Sequence, residues 1–205
     1  MSAIPQNEWK KVGELYSSGL PMRAVANQMS VSIDAVTYVL RRIKVPRRDF
    51  KAASRLAYEA KTPTFSIRAG NARRVSELDA VGAMLYWAEG YKRETASGID
   101  FANSDADMSK LFLKFLQKRY RLDENRLHFS IYYYADQDLE SILAFWSQKL
   151  EKPLGQFKNH YRKPNPRDGT RKLPYGVLHI RYNDKKLLRD VLSLIESYKR
   201  KYVLR

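Results

Sequence analysis

Hydrophobic and polar positions divide the chain into stretches of helical period and stretches that alternate. Residues 7–18 place Trp9, Val12, Leu15 and Tyr16 on one helical face. Gly19-Leu20-Pro21 interrupts that run, and proline is tolerated at the start of the next helix, over 21–29. Ser30, Val31 and Ser32 make a tight turn into a third helix over 33–43, with Ser32 as its N-cap and Asp34 in its first turn. Pro46 stops this run. The period is lost over 49–76, where Lys61-Thr62-Pro63-Thr64 and Arg68-Ala69-Gly70-Asn71 carry loop chemistry, while 51–61 leaves room for a short helix.

The most apolar helical stretch is 80–92, A-V-G-A-M-L-Y-W-A-E-G-Y-K. Leu78, Val81, Leu85 and Ala88 share a face expected to be buried. Gly82, Ala83, Ala88 and Gly90 are small enough to admit a second backbone, and a glycine inside a helix costs about 0.8–1 kcal/mol against alanine. Gly90 suits the helix end. There the Glu89 carboxylate meets the negative pole of the helix dipole, which is unfavourable without a cation or metal.

Beyond it, 98–103 reads as a strand, and Ser104 or Asp105 caps a helix over 106–120 with Met108, Leu111, Phe112, Phe115 and Leu116 inward. Residues 126–134 alternate, with Leu127, Phe129, Ile131 and Tyr133 on one side. A helix over 136–149 turns Leu139, Ile142, Leu143, Phe145 and Trp146 inward. Strands over 155–163 and 175–183 flank a Pro/Gly-rich basic loop, and a helix over 184–201 closes the chain. These elements predict a small all-α domain (1–48), a basic linker (49–76) and an α+β domain (77–205) with helices on one face of an antiparallel sheet.

Charge narrows the partners. Lys and Arg number 38 against 22 acids among 205 residues, a formal charge of +16. Such an excess points to a polyanion, bound by phosphate neutralisation with counterion release. No cysteine is present, which excludes disulfides and thiolate metal sites and suits a reducing cytoplasm. No apolar stretch reaches the roughly 18–20 residues of a membrane span, so a cytoplasmic protein without a membrane partner is expected.

The first three helices resemble a helix-turn-helix in spacing. Val25, Ala26, Met29, Val31, Val36 and Val39 fall where the motif needs buried or small residues, with Ser30 at the usual turn glycine. The face left over carries Ser32, Ile33, Asp34, Thr37, Tyr38 and Arg41, followed by Arg42, Arg47 and Arg48. In such folds the second motif helix enters the major groove.

The run G-A-M-L-Y-W-A-E-G at 82–90 resembles the LAGLIDADG motif of homing endonucleases. Gly82 stands in place of the leading leucine and Trp87 in place of the first aspartate. The resemblance spans roughly 79–198, mostly as layout. It implies a saddle-shaped sheet lying on double-stranded DNA and two motif helices packed together. It also implies a Mg²⁺ site at Glu89 and Gly90, with Glu89 as the catalytic acid. Since one motif is present, the second acid has to come from a homodimer, joined through Gly82, Ala83, Tyr86 and Trp87. On the sheet, Lys158, His160 and Arg162 share one side of their strand, as His179 and Arg181 do on the next, and the loop between adds Arg167, Arg171 and Lys172. This side reads as almost entirely cationic, as for a β-ribbon in a DNA groove.

The resulting expectation is a homodimeric, Mg²⁺-dependent, sequence-specific DNA endonuclease. The alternative is a non-catalytic DNA-binding transcriptional regulator, since bacterial sporulation regulators join a degenerate domain of this family to a helix-turn-helix. A third reading, binding of RNA, follows from the family's maturases and from Tyr132-Tyr133-Tyr134, whose rings can stack on bases.

Overall fold

The structure, a computed structural model, describes residues 4–69, 76–93, 95–165 and 173–203. Arg73, Arg74, Arg167, Arg171 and Lys172 lie outside them. Two compact units divide the chain, Met1–Thr62 and Pro63–Arg205.

The first unit follows its apolar period. After a 3-10 turn at Gln6–Glu8 come α1 (Trp9–Ser17), α2 (Met22–Gln28), α3 (Ile33–Arg42) and α4 (Phe50–Ala60). Val12, Tyr16, Val25, Ala26, Val36, Val39 and Leu40 form the core, with Met29 and Val31 packed at its edge. Ser32 caps α3, its side chain accepting from the Ala35 amide at 3.1 Å. Ser30 holds φ 54° in the turn, the left-handed conformation that favours glycine there. Asp49 caps α4 by accepting from the Ala52 amide at 2.6 Å.

The stretch expected to be a linker is therefore divided between the two units. Residues 49–60 extend the helical unit, and 64–68 are fastened to the second. Thr64 donates its amide and hydroxyl to Asp184 Oδ2, each at 2.8 Å. β1 (Phe65–Ile67) pairs antiparallel with β3 (Tyr120–Leu122).

The second unit is α+β. Its elements after β1 are α5 (Glu77–Glu89), β2 (Ile99–Asn103), α6 (Ala106–Arg119), β3, β4 (Leu127–Tyr134), α7 (Leu139–Leu150), β5 (Tyr161–Lys163), β6 (Val177–Tyr182) and α8 (Lys185–Tyr202). The main sheet has the order β2-β6-β4-β5. β6 pairs antiparallel with β2 and β4, whereas β5 runs parallel to β4. The main sheet is thus mixed: the expected antiparallel pairing holds for β2-β6-β4, and β5 departs from it. The strand expected over 155–163 shrinks to three residues, because 154–156 turn as a 3-10 helix and Asn159 takes φ 57°. With β4 between them, β5 and β6 form no hairpin.

Inward residues of the sheet, Ile99, Phe101, Phe129, Ile131, Leu178 and Ile180, join Phe112, Phe115 and Leu116 of α6 and Leu187, Leu188 and Val191 of α8 in one core. Leu111, expected inward, is 37% exposed. Behind α5 lies a buried ionic group. Arg119 Nη1 faces Asp79 Oδ2 at 3.3 Å, and its Nε donates to the Tyr120 hydroxyl, which donates in turn to Asp190 at 2.7 Å. Asp79 also closes a capping box with Ser76.

Candidate nucleic-acid interface

The outer side of α3 is built by its cap and by the turn that follows it. The Ser32 hydroxyl accepts at the cap and keeps its donor, and Thr37 donates its own to the Ile33 carbonyl at 2.9 Å and keeps its acceptor sites. Tyr38 stays 53% exposed, edge-on to Trp9 at 6.2 Å, and its hydroxyl accepts from Arg42 Nε at 3.0 Å. Lys44 adopts φ 56° and the Val45 amide returns to the Leu40 carbonyl at 2.9 Å, closing the helix. That turn brings Thr37, Arg41, Lys44, Val45, Pro46 and Arg47 around one concavity. Arg41, Lys44 and Arg47 are exposed, and no described residue bonds their side chains.

Arg48 belongs elsewhere, a correction to its place among the DNA contacts. Its guanidinium lies 3.9 Å from the Tyr16 ring centroid and donates to the Leu20 carbonyl at 3.0 Å and to that of Tyr16. Two carbonyls and a ring face satisfy it inside the unit. Lys44, by contrast, escaped the expected set. Its signal was its place in the basic run 41–48, just past the helix end.

In the second unit, Glu89 ends α5 exposed, with no described residue bonded to its carboxylate. Gly90 follows with φ −80° and ψ 148° and bridges to Phe101. Glycine is required by space, since a Cβ would lie 2.5 Å from Tyr86 ring atoms and from the Tyr86 carbonyl. Lys92 Nζ donates to the carbonyls of Trp87 at 2.7 Å and Gly90 at 2.8 Å. The cation that the negative helix pole calls for is therefore a lysine of the same chain. Mg²⁺ takes oxygen ligands in near-octahedral geometry. One subunit offers a single carboxylate beside a carbonyl already holding an ammonium group, and that donor set does not fit the ion. Among the described residues no group of three or more His, Asp or Glu side chains stands ready for a metal.

Of the four residues expected to join two copies, three are turned inward and Trp87 stays exposed. Gly82, Ala83 and Tyr86 are buried within the subunit against α6, with the Tyr86 ring stacked on Phe112 at 5.7 Å. The opposite ridge is the open one. Val81 is 41% and Trp87 44% exposed, Ala88 is exposed, and Met84 and Leu85 are half-buried. α5 is apolar nearly all round, a property of helices with neighbours on every side.

The open face of the sheet is not the cationic surface its sequence suggests. Asp100 on β2 accepts from Arg181 Nε at 3.0 Å and bonds His179 Nδ1 at 2.8 Å. Burial works against the charge of Asp100, but the hydrogen bonds and charges of His179 and Arg181 outweigh it and hold the carboxyl below its usual range. Arg181 also donates to Ser130 at 3.2 Å and to the Tyr132 hydroxyl at 3.1 Å. His160 Nδ1 accepts from the Ile131 amide at 3.2 Å, and burial pushes its pKa down, as it does for His128. Arg162 donates to the Ala135 carbonyl at 2.6 Å, while Lys158 remains exposed. Of the basic residues read here on the sheet strands, Lys158 and Arg162 have no carboxylate partner among the described residues. Asp100 was missed, although it alternates outward in G-I-D-F-A-N, where a cross-strand charge partner is to be expected.

No helix of the described residues is long and apolar enough to cross a membrane. No family model, no curated protein and no solved structure matches this chain.

Proposed function

We propose that this chain is a sequence-specific double-stranded DNA-binding protein that acts as a homodimer, with the helix-turn-helix of its first unit as the reader and a LAGLIDADG-like second unit as the dimerising part. One observation carries the reading. α3 presents Arg41 and the Tyr38–Arg42 pair on its outer face, with Lys44 and Arg47 flanking the same concavity, in a chain of net charge +16. A guanidinium on a groove helix matches guanine O6 and N7, and lysines at its rim suit phosphates. Dimerisation is supported by the ridge of Val81, Met84, Leu85 and Ala88, for which a second copy offers an identical apolar helix under two-fold symmetry.

A selection from a random duplex library gives the test. Arg41→Ala should cost about 1–3 kcal/mol on the selected site and relax its sequence, while Lys44→Ala should weaken all duplexes evenly and lower the salt slope by about one. If Arg41→Ala binds every sequence as the parent does, α3 is not the reader. Val81→Glu should turn a sedimenting dimer into a folded monomer, and a parent that is monomeric with and without duplex removes the dimer.

A second reading, metal-dependent cleavage of the bound duplex, draws on Glu89, which stands exposed at the end of α5 and would need the mate of a two-fold partner to complete a metal site. Lys92 in the metal's place speaks for the regulator instead. Plasmid-library cleavage in Mg²⁺ by the parent and not by Glu89→Gln supports the enzyme; binding without cleavage by either supports the regulator.

A further inference from the structure

We infer that the open face of the second unit's sheet is a stacking platform for the unpaired bases of single-stranded nucleic acid, an activity beyond duplex reading and independent of it. Three rings follow one another across β5, β4 and β6, tilted by 54° between Tyr161 and Tyr132 and by 35° between Tyr132 and His179. Tyr132 sits directly across from Tyr161, with centroids 5.2 Å apart, and lies 4.1 Å from the His179 ring on its other side. Tyr161 is 55% exposed. Lys163 Nζ lies 5.5 Å and the Arg181 guanidinium 5.7 Å from the Tyr132 centroid.

The charge of this face decides which nucleic acid it suits. Asp100 and Arg181 neutralise each other, and Arg181 spends its remaining hydrogen bonds on Ser130 and Tyr132. A duplex turns its base faces inward and offers phosphates, so the rings themselves gain little from it. A single strand exposes both faces of every base, and stacking on tyrosine is indifferent to sequence. The Arg181 hydrogen bond fixes the Tyr132 ring before binding, which lowers the ordering cost. Lys163 beside the rings supplies the cation–π contribution found in such sites.

Anisotropy titrations of the full chain with labelled oligothymidylate, oligouridylate and a duplex of the same length test the inference. The parent should bind at least one single strand near physiological salt. Tyr161→Ala should weaken that binding about fivefold or more, the loss of one stacked base, with the duplex unaffected. Tyr161→Phe, which keeps the ring, should stay within about twofold of the parent, on the same stacking grounds. The tighter oligomer identifies DNA or RNA as the source of the strand. Ultraviolet crosslinks of that oligomer should map to the peptides holding Tyr132 or Tyr161. No binding of either oligomer overturns the inference. So does Tyr161→Ala binding as the parent does, equal losses on strand and duplex, or crosslinks confined to the first unit.

Discussion

Replacing Gly82 by alanine adds one methyl group at the tightest place between α5 and α6. A Cβ built there lies 2.0 Å from Phe115 Cγ, 2.4 Å from Cδ1 and 2.6 Å from Cβ. Ordinary contact begins more than 1 Å farther out, so either the ring or the helix must move. Phe115 has no exposed surface and is packed against Phe112 at 5.8 Å and Tyr120 at 6.0 Å, so a displaced ring has nowhere to go. Overpacking of this kind costs about 1–3 kcal/mol, and this clash lies at the upper end. Alanine's better helix propensity returns about 0.8–1 kcal/mol. The expected net loss is about 2 kcal/mol, read as a lower urea midpoint for the second unit at an unchanged m-value. Phe115→Leu opens space at the same spot, so the double variant should be more stable than the sum of the two single losses predicts. A Gly82→Ala protein about 1 kcal/mol more stable than the parent would show propensity alone at work. Gly82 would then face away from Phe115, and the small-residue face would again be free for a second copy.

Two further outcomes follow from the buried polar groups. Arg119→Met leaves Asp79, whose side chain is 3% exposed, without its cation; urea unfolding should show a loss of about 3–5 kcal/mol, with part recovered when Asp79→Asn is added. Stability should also fall as pH drops below about 6.5, because burial holds His128 and His160 below that ordinary value and the unfolded chain then binds more protons than the folded one. This contribution is fully present above pH 6.5 and lost as the pH approaches the folded values. Asp100, held below its usual range, adds a second loss at pH values below the ordinary carboxylate pKa. His160→Asn should flatten the first phase, and an unchanged urea midpoint from pH 7.5 to about 5 would contradict the assignment.

Elements with a strong period were legible in the sequence. The cores of α1 to α3, the Ser32 cap and the inward side of β4 follow from spacing alone, because each is set by residues within a few positions of one another. What was not legible depends on partners far along the chain. Arg48 looks like part of a basic tail until Tyr16, 32 residues earlier, takes it up. Arg181 looks like a phosphate contact until Asp100, 81 residues away, neutralises it. β5 and β6 flank one loop in the sequence, which shows neighbours in chain order and not that β4 lies between them in the sheet.

The same distinction bears on α5. Its small residues suggested a surface for a second helix, and one is indeed packed there, but it is α6 of the same subunit. α8 packs on α5 as well, and Val81 and Ala88 look outward on the remaining side. An apolar run of uniform character carries no information on which of its faces meets the subunit core, because every face qualifies. Only the volumes decide: at Gly82, inside the helix, the Phe115 ring of α6 approaches closer than a Cβ allows. Close approach to α6 therefore fixes the inner face, α8 covers a further side of the helix, and Val81 and Ala88 stay open.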